Sequence, residues 1–204
     1  FPLLMRLVQI RGQCMQQAAE KAPGGMTAVI GLEGQALDEV CREASALGAV
    51  QVANINSPEQ IIISGSREAL ERAAQLATQR GAKRTIPLKV SGAWHSKLMA
   101  EAQAVMGEEL ARSELWNPAL PVVANVTADY VVSAQDVRNL LREQICSPVR
   151  WVESIQLLLR EGITAFVEVG PGQVLRGIVR RISRDVDLAG FEKPEDLESV
   201  QRLL

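Results

Sequence analysis

Aromatic residues are scarce in this chain, at 3% of 204 residues, and histidine occurs once. Few aromatic rings leave few platforms for stacking nucleic-acid bases, and a formal net charge of −2 gives no basic field to attract phosphates. We therefore expect no nucleic-acid partner. The three cysteines, Cys14, Cys41 and Cys146, lie far apart and show no zinc-ligand spacing, so no metal site is predicted. Their odd number favours a reducing, cytoplasmic setting.

Long apolar runs are also missing. No stretch approaches the ~18 uninterrupted apolar residues of a membrane helix, and the first residues lack the pattern of a signal peptide. We therefore expect no membrane association. Hydrophobic residues nevertheless make up 47% of the chain, which is enough for a well-buried core. The sequence opens on Phe1-Pro2-Leu3-Leu4 without an initiator methionine, and we expect it to be part of a longer protein.

Residues 25–88 show a compact alternation of predicted elements. The patterns predict strands at 26–32, 50–55, 60–64 and 83–88, with helices at 36–47 and 67–80 and a turn at 56–59. The order βαββαβ is that of a ferredoxin-like unit. We predict such a small domain over residues 25–88.

The remaining residues, 1–24 and 89–204, predict a larger α/β domain. Helical spacing occurs at 3–20, 98–113, 134–144, 151–162 and 173–184, and buried strands are predicted at 122–126 and 165–169. Alternating strands and helices favour a largely parallel sheet covered on both faces. The fold class is therefore α/β, with the small domain inserted into the larger one.

Two residues stand out as candidates for chemistry. His95 lies on a loop between a predicted strand and helix, where active-site groups concentrate, and an imidazole can serve as the general base for a nucleophile. The alternative is a structural, hydrogen-bonded histidine. Arg11 lies in an otherwise amphipathic helix. Its guanidinium is either solvated or binds a carboxylate through two parallel hydrogen bonds.

Other polar segments have simpler interpretations. The strand–turn–helix around Gly170-Pro171-Gly172 could bind an anion at the helix N-terminus, but a tight structural turn is favoured. No G-x-S-x-G nucleophile elbow occurs in the 204 residues. Cys14 and Cys146 occur in apolar helical contexts that predict core positions.

Six ordered segments together resemble one family, the malonyl-CoA:acyl carrier protein transacylases. They cover most of the chain and read RGQCMQ (11–16), GMTAVIGL (25–32), NINSPEQIIISG (54–65), GAWHSKLM (92–99), QICSPVRW (144–151) and EVGPG (168–172). The similarity extends from the first residues to about residue 184, in the order found in that family. It implies a partial α/β-hydrolase-like domain with a ferredoxin-like insertion.

The resemblance also implies an activity and its residues. Malonyl would pass from coenzyme A to a serine and then to the phosphopantetheine thiol of acyl carrier protein, without a cofactor. His95 would be the base, and the backbone carbonyl of Gln144 would orient its ring. Arg11 would bind the free malonyl carboxylate. The remaining side chains implied to line the acyl pocket are Met15, Val90 and Trp94.

The family's G-H-S-x-G nucleophile and its oxyanion-hole glutamine are not found in these residues. Loss of such a nucleophile costs a factor of about 10⁶, so the 204 residues alone are expected to be inactive. Two alternatives remain open: a non-catalytic ferredoxin-like and α/β binding module, or an acyltransferase domain of a larger polyketide or fatty-acid synthase. The sequence does not decide between fatty-acid and polyketide biosynthesis.

The partners implied by the resemblance are malonyl-CoA and acyl carrier protein, and the complete protein is expected to be a monomer. Acyl carrier proteins are acidic, and one predicted helix carries a run of arginines that could dock them. An ordinary solvated helix face is the equal alternative. The residues concerned are Arg176, Arg180, Arg181 and Arg184.

Overall fold

The structure is a computed structural model and describes residues 1–203. Short 3₁₀ turns occupy Ser45–Leu47, Lys97–Met99 and Pro194–Asp196. The helices and strands, in chain order, are α1 Pro2–Lys21, β1 Gly25–Ile30, α2 Gly34–Ala44, β2 Val50–Ser57, β3 Gln60–Gly65, α3 Arg67–Gln79, β4 Arg84–Pro87, α4 Ala100–Arg112, β5 Val123–Ala124, β6 Asp129–Tyr130, α5 Ala134–Glu143, α6 Trp151–Arg160, β7 Ala165–Val169, α7 Val174–Ile182, β8 Asp187–Phe191 and α8 Leu197–Gln201.

Strands β1 to β4 form one antiparallel sheet in the order β2-β3-β1-β4. Its strands and helices follow the βαββαβ order that the sequence predicts. The predicted turn at 56–59 is shorter than expected, because Ser57 pairs with Gln60 and leaves only Pro58 and Glu59 as the connection.

The two faces of this sheet bury different sets of side chains. Helices α2 and α3 cover one face with a continuous apolar cluster that includes Leu37, Val40, Ile61 and Ile63. The other face carries a smaller cluster, Met26, Ala28, Ala53 and Ile62, against which Leu88 and Trp94 pack. This second face is the one that borders the site described below.

Helices α1, α4 and α5 pack beside that second face. Helix α1 begins with Pro2 in its first turn, where the missing N–H costs nothing, and it ends before Pro23 and Gly24. Its apolar stripe contacts α4 and Ile145, which follows α5. The buried residues of this cluster are Leu7, Cys14, Met15, Ala18, Ala19, Met99, Ala102, Met106, Leu110 and Ile145.

The described residues show the predicted parallel sheet only in part. Among the strands of residues 1–203, parallel pairing joins only β7 to β8. The strand predicted at 122–126 shortens to β5, because the chain reverses at once and β5 pairs antiparallel with β6. Strand β7 has one strand neighbour, so Val169, predicted to be buried, is 75% exposed.

Within residues 1–203, no helix combines the length and apolar character needed to cross a bilayer.

The apolar cluster under α2 and α3 predicts that two leucines differ in their contribution to the free energy of unfolding. Leu37 is 0% exposed in that cluster, whereas Leu47 is 55% exposed beyond α2. We expect Leu37→Ala to lower the free energy of unfolding by about 2–5 kcal/mol, since it leaves a cavity in a packed core. Leu47→Ala should change it by less than about 0.5 kcal/mol. Urea unfolding of both variants measures the difference, and equal losses would contradict the assigned core.

Candidate active site

His95 lies on a loop that runs from β4 to the 3₁₀ turn Lys97–Met99. The neighbouring Ser96 is fully buried and anchors this loop at both ends: its hydroxyl donates to the carbonyl of Ala93 at 2.7 Å and accepts from the N–H of Leu98 at 3.3 Å. Gly92 permits the loop to approach α1, because a Cβ there would lie 2.7 Å from the Cβ of Ala19. The local sequence thus fixes the loop tightly around the histidine.

The backbone of His95 adopts an uncommon conformation, with φ at +59°. A side chain with a Cβ in this left-handed region costs on the order of 1–3 kcal/mol, and such strain persists only where the surroundings hold it. Strained residues concentrate at functional sites, so this geometry agrees with a functional role for the loop.

The imidazole is held by a backbone oxygen. Nδ1 of His95 lies 2.9 Å from the carbonyl oxygen of Gln144. Because a carbonyl can only accept, Nδ1 must carry the hydrogen, and in the neutral ring Nε2 carries the lone pair. The arrangement leaves Nε2 available as a base.

The segment that supplies this carbonyl is itself fixed. The side-chain amide of Gln144 donates to the carbonyls of Ser147 at 2.9 Å and Pro148 at 3.2 Å. Val149 then pairs with the free edge of β2: its N–H donates to the carbonyl of Ala53 at 2.8 Å, and its carbonyl accepts from Ile55 at 2.9 Å. The sheet therefore positions the oxygen that orients His95.

A cavity of about 460 Å³ opens between α1, the second face of the sheet and the histidine loop. Apolar side chains form much of its wall, and a few polar groups converge on it, as is usual for small-ligand sites. The lining residues are Arg11, Gly12, Met15, Gln16, Met26, Asn54, Ile62, Leu88, Trp94 and His95.

Arg11 and His95 lie 84 positions apart in the sequence and share this cavity. The guanidinium of Arg11 forms no ion pair with any Asp or Glu side chain within residues 1–203. A partly buried arginine without an internal counter-charge beside an apolar cavity is suited to bind an acidic ligand. Met15 and Trp94, also predicted for the site, line the same cavity.

Burial lowers the pKa of His95 below its usual value. The hydrogen bond to Gln144 raises the pKa in part, and the positive charge of Arg11 lowers it further. The ring is therefore neutral near pH 7, which is the form that can accept a proton.

Val90 is the one predicted pocket residue that the structure does not bring into the cavity. The N–H of Val90 donates to the carbonyl of Leu88 at 3.0 Å, so the chain turns tightly as it leaves the sheet. Leu88 consequently lines the cavity, while Val90 is 38% exposed and is not among the lining residues.

Asn54 lines the cavity, although no motif in the sequence predicts a role for it. Regular alternation along β2 would put Val52 and Asn54 on the same face, towards α2 and α3. A bulge between them shifts the register, so that Val52 pairs with Ile63 and Asn54 pairs with Ile62 on the cavity side. The segment NINSPEQ contained this residue, but a bulge leaves no periodic signal. The other cavity residues without a predicted role are Gly12, Gln16, Met26, Ile62 and Leu88.

The strand–turn–helix at Gly170 and the cysteines have the structural roles that the sequence analysis favoured for them. The carboxylate of Glu168 accepts from the N–H groups of Leu175 at 2.9 Å and Arg176 at 3.1 Å, so the chain's own anion occupies the N-terminus of α7. Cys14 is buried, and desolvation raises its pKa. Burial likewise raises the pKa of Cys146. Neither thiol has the lowered pKa of a reactive nucleophile.

Three of the four arginines considered for docking contact the chain itself. Arg176 pairs with Glu168 at 3.5 Å. Arg180 donates to the carbonyls of Arg184 and Val186, both at 3.0 Å, and Arg181 donates to Gln60 at 2.8 Å. These contacts favour a structural role for the α7 arginines. No cluster of metal-ligating side chains occurs in the part of the chain that the structure describes.

Comparison with known proteins identifies the family. The model of the family described as "Acyl transferase domain" matches residues 5–198. The chain belongs to this acyl transferase family.

Curated relatives agree. The chain is 41% identical over 192 residues to a malonyl CoA-acyl carrier protein transacylase of Bacillus subtilis, covering 94% of the chain and 61% of that protein. It is 36% identical to the protein of the same name from Escherichia coli K12, covering 100% of the chain and 66% of the relative. The chain thus spans about two-thirds of the length of these relatives.

Solved structures show the same fold. An acyl-carrier-protein S-malonyltransferase of Burkholderia pseudomallei superposes with a TM-score of 0.91 at 38% identity, covering 97% of this chain and 64% of that one. A malonyl-transacylase solved in complex with a type II PKS acyl-carrier protein gives a TM-score of 0.92 at 36% identity, with coverage of 97% and 64%.

The shared cavity predicts an electrostatic link between Arg11 and His95. We expect Arg11→Gln to raise the pKa of His95, because it removes a positive charge that disfavours the imidazolium. Titration followed by NMR of the imidazole signals measures the shift. The matched control is Arg6→Gln on the same helix, whose guanidinium pairs with Glu109 at 3.1 Å. An equal shift in both variants would contradict a direct effect of Arg11.

Proposed function

We propose that this chain carries the base and the carboxylate-binding arginine of a malonyl-CoA:acyl carrier protein transacylase. The observation that carries the proposal is the shared cavity, with Arg11 and His95 in its wall. An acyl group that ends in a carboxylate can be held at that end by a guanidinium while an imidazole acts near its thioester. Membership of the acyl transferase family and the names of the relatives support the same reaction.

In the proposed first half-reaction, a serine hydroxyl attacks the malonyl thioester while Nε2 of His95 takes the hydroxyl proton. The carbon–sulfur bond breaks, the coenzyme A sulfur takes the proton, and malonyl remains as a serine ester. In the second half, the phosphopantetheine thiol of acyl carrier protein gives its proton to His95 and its sulfur attacks the serine ester. The bond between the serine oxygen and the malonyl carbon breaks, the serine oxygen takes the proton back from His95, and malonyl leaves as the new thioester. The carbonyl of Gln144 stabilises the imidazolium in both halves, in the place of a triad carboxylate.

The nucleophile is proposed to come from outside these 204 residues. None of the described residues that line the cavity is a serine, cysteine or threonine. The chain spans only about two-thirds of the relatives, which leaves room in a longer protein for the segment that bears the serine.

The apolar part of the cavity suits a short acyl chain. Met15 and Trp94 form part of its wall, together with Met26, Ile62 and Leu88. We propose that these side chains exclude water from the ester and that Arg11 selects acids over neutral acyl groups.

The division into domains also remains a proposal. The sheet order β2-β3-β1-β4 with both helices on one face supports a ferredoxin-like unit at residues 25–88. The rest of the chain would then be the incomplete α/β-hydrolase-like domain. We further propose a cytoplasmic monomer that works without a cofactor or a metal, because a base and a nucleophile suffice for exchange between thioesters.

The test of this function is acyl transfer by the complete protein. We expect malonyl transfer from coenzyme A to acyl carrier protein, and Arg11→Ala should slow malonyl transfer far more than acetyl transfer. Loss of one bidentate pair costs on the order of 3 kcal/mol, or about 100-fold, and acetyl has no carboxylate to lose.

The control is again the same substitution at Arg6, which should leave both transfers unchanged. Equal losses for malonyl and acetyl after Arg11→Ala would remove Arg11 from the proposed role. A complete wild-type protein without malonyl transfer would favour the non-catalytic binding module instead.

A further inference from the structure

Gln51 lies on β2, opposite Ser64 of β3. Its side chain contacts two segments that are remote from it in sequence. The Nε2 amide donates to the carbonyl of His95 at 3.1 Å and to the carbonyl of Cys146 at 3.0 Å. The Oε1 atom accepts from the N–H of Lys97 at 3.2 Å.

These three bonds engage both donor hydrogens of the amide and its oxygen. Few other side chains could replace it, because the site needs two donors towards carbonyls and one acceptor towards an N–H. A carboxylate would face two carbonyl oxygens without a hydrogen to offer, and an aliphatic chain would leave all three backbone groups without this partner.

Two of the bonds lie directly C-terminal to the strained residue. One reaches the carbonyl of His95 and the other reaches the N–H of Lys97, so they bracket Ser96 beside the left-handed backbone of His95. A backbone in this left-handed region persists only where its surroundings hold it, and the two hydrogen bonds from Gln51 provide part of that support.

The third bond reaches the other half of the site. Cys146 follows Gln144 by two residues, and Gln144 supplies the carbonyl that accepts from Nδ1 of His95. One amide on the sheet therefore ties the loop that carries the base to the segment that orients it.

We propose that Gln51 is a positioning residue for His95, whose amide holds the histidine loop and the Gln144 segment at the separation where Nδ1–H reaches the Gln144 carbonyl. This inference rests on the proposed function for its kinetic consequence. Its structural consequence, a fixed Nδ1–H tautomer, does not depend on the reaction.

The test is Gln51→Met in the complete protein, because methionine has a similar length and no amide. We expect NMR of the His95 imidazole nitrogens to show tautomer exchange where the wild type shows protonated Nδ1 and unprotonated Nε2. The kcat of malonyl transfer should fall by up to about 100-fold, since a small misplacement of a catalytic group has that effect. The KM for malonyl-CoA should stay within about twofold, because Arg11 is untouched.

The matched control is Gln135→Met in the first turn of α5. The amide of Gln135 donates to the side chain of Asn139 at 3.1 Å, a bond within α5 that reaches neither the histidine loop nor the Gln144 segment. We expect this variant to retain the wild-type imidazole signals and kcat.

A second variant, Gln51→Glu, guards against simple misfolding. The introduced carboxyl can donate a hydrogen bond only when protonated, so its kcat relative to the wild type should rise as the pH falls. Unchanged imidazole signals and unchanged kcat in Gln51→Met would overturn the inference. A ratio of Gln51→Glu kcat to wild-type kcat that does not change with pH would overturn it as well. If the wild-type protein transfers no malonyl, the proposed function fails, and the imidazole signals alone still decide the role of Gln51.

Discussion

The site depends on a short stretch of backbone pairing between the edge of a sheet and a loop. Val149 pairs with β2 through the carbonyl of Ala53 and the N–H of Ile55. This pairing fixes the segment that presents the carbonyl of Gln144, and that carbonyl fixes the ring of His95. The reference point is therefore hydrogen-bonded sheet backbone and not a side chain, and it orients the imidazole of His95.

The same strand serves the cavity in a second way. The bulge in β2 puts Asn54 on the cavity side and breaks the alternation that would otherwise bury it against α2 and α3. Helix α1 contributes the opposite wall, with Arg11 and Met15 on one stripe. The guanidinium of Arg11 does not face a second positive charge on His95. Burial of the imidazole and the charge of Arg11 both lower the pKa of His95 and so keep its ring neutral.

The sequence predicted most of the fold and part of the site, for different reasons. Strong periodicity and Gly/Pro breaks gave the order of elements in residues 25–88, and the resemblance brought Arg11 and His95 together. The place of Asn54 in the cavity was not predictable, because the bulge in β2 leaves the sequence pattern unchanged. The absence of Val90 from the cavity was not predictable either, because a three-residue turn puts Leu88 there instead. The strand at 122–126 was overpredicted, since its valines are typical of a buried strand but the chain turns back at once. No sequence pattern could predict the contacts of Gln51, because its hydrogen-bond partners His95 and Cys146 lie 44 and 95 residues away in the chain.

The central claim is that Arg11 and His95 act on the two ends of one acid-bearing thioester. The most direct measurement is a crystal structure of the complete protein trapped with malonyl on its nucleophile. The account predicts the malonyl carboxylate in a bidentate pair with the Arg11 guanidinium and the ester within hydrogen-bond reach of Nε2 of His95. A malonyl group bound with its carboxylate away from Arg11, or outside the cavity that both residues line, would contradict it.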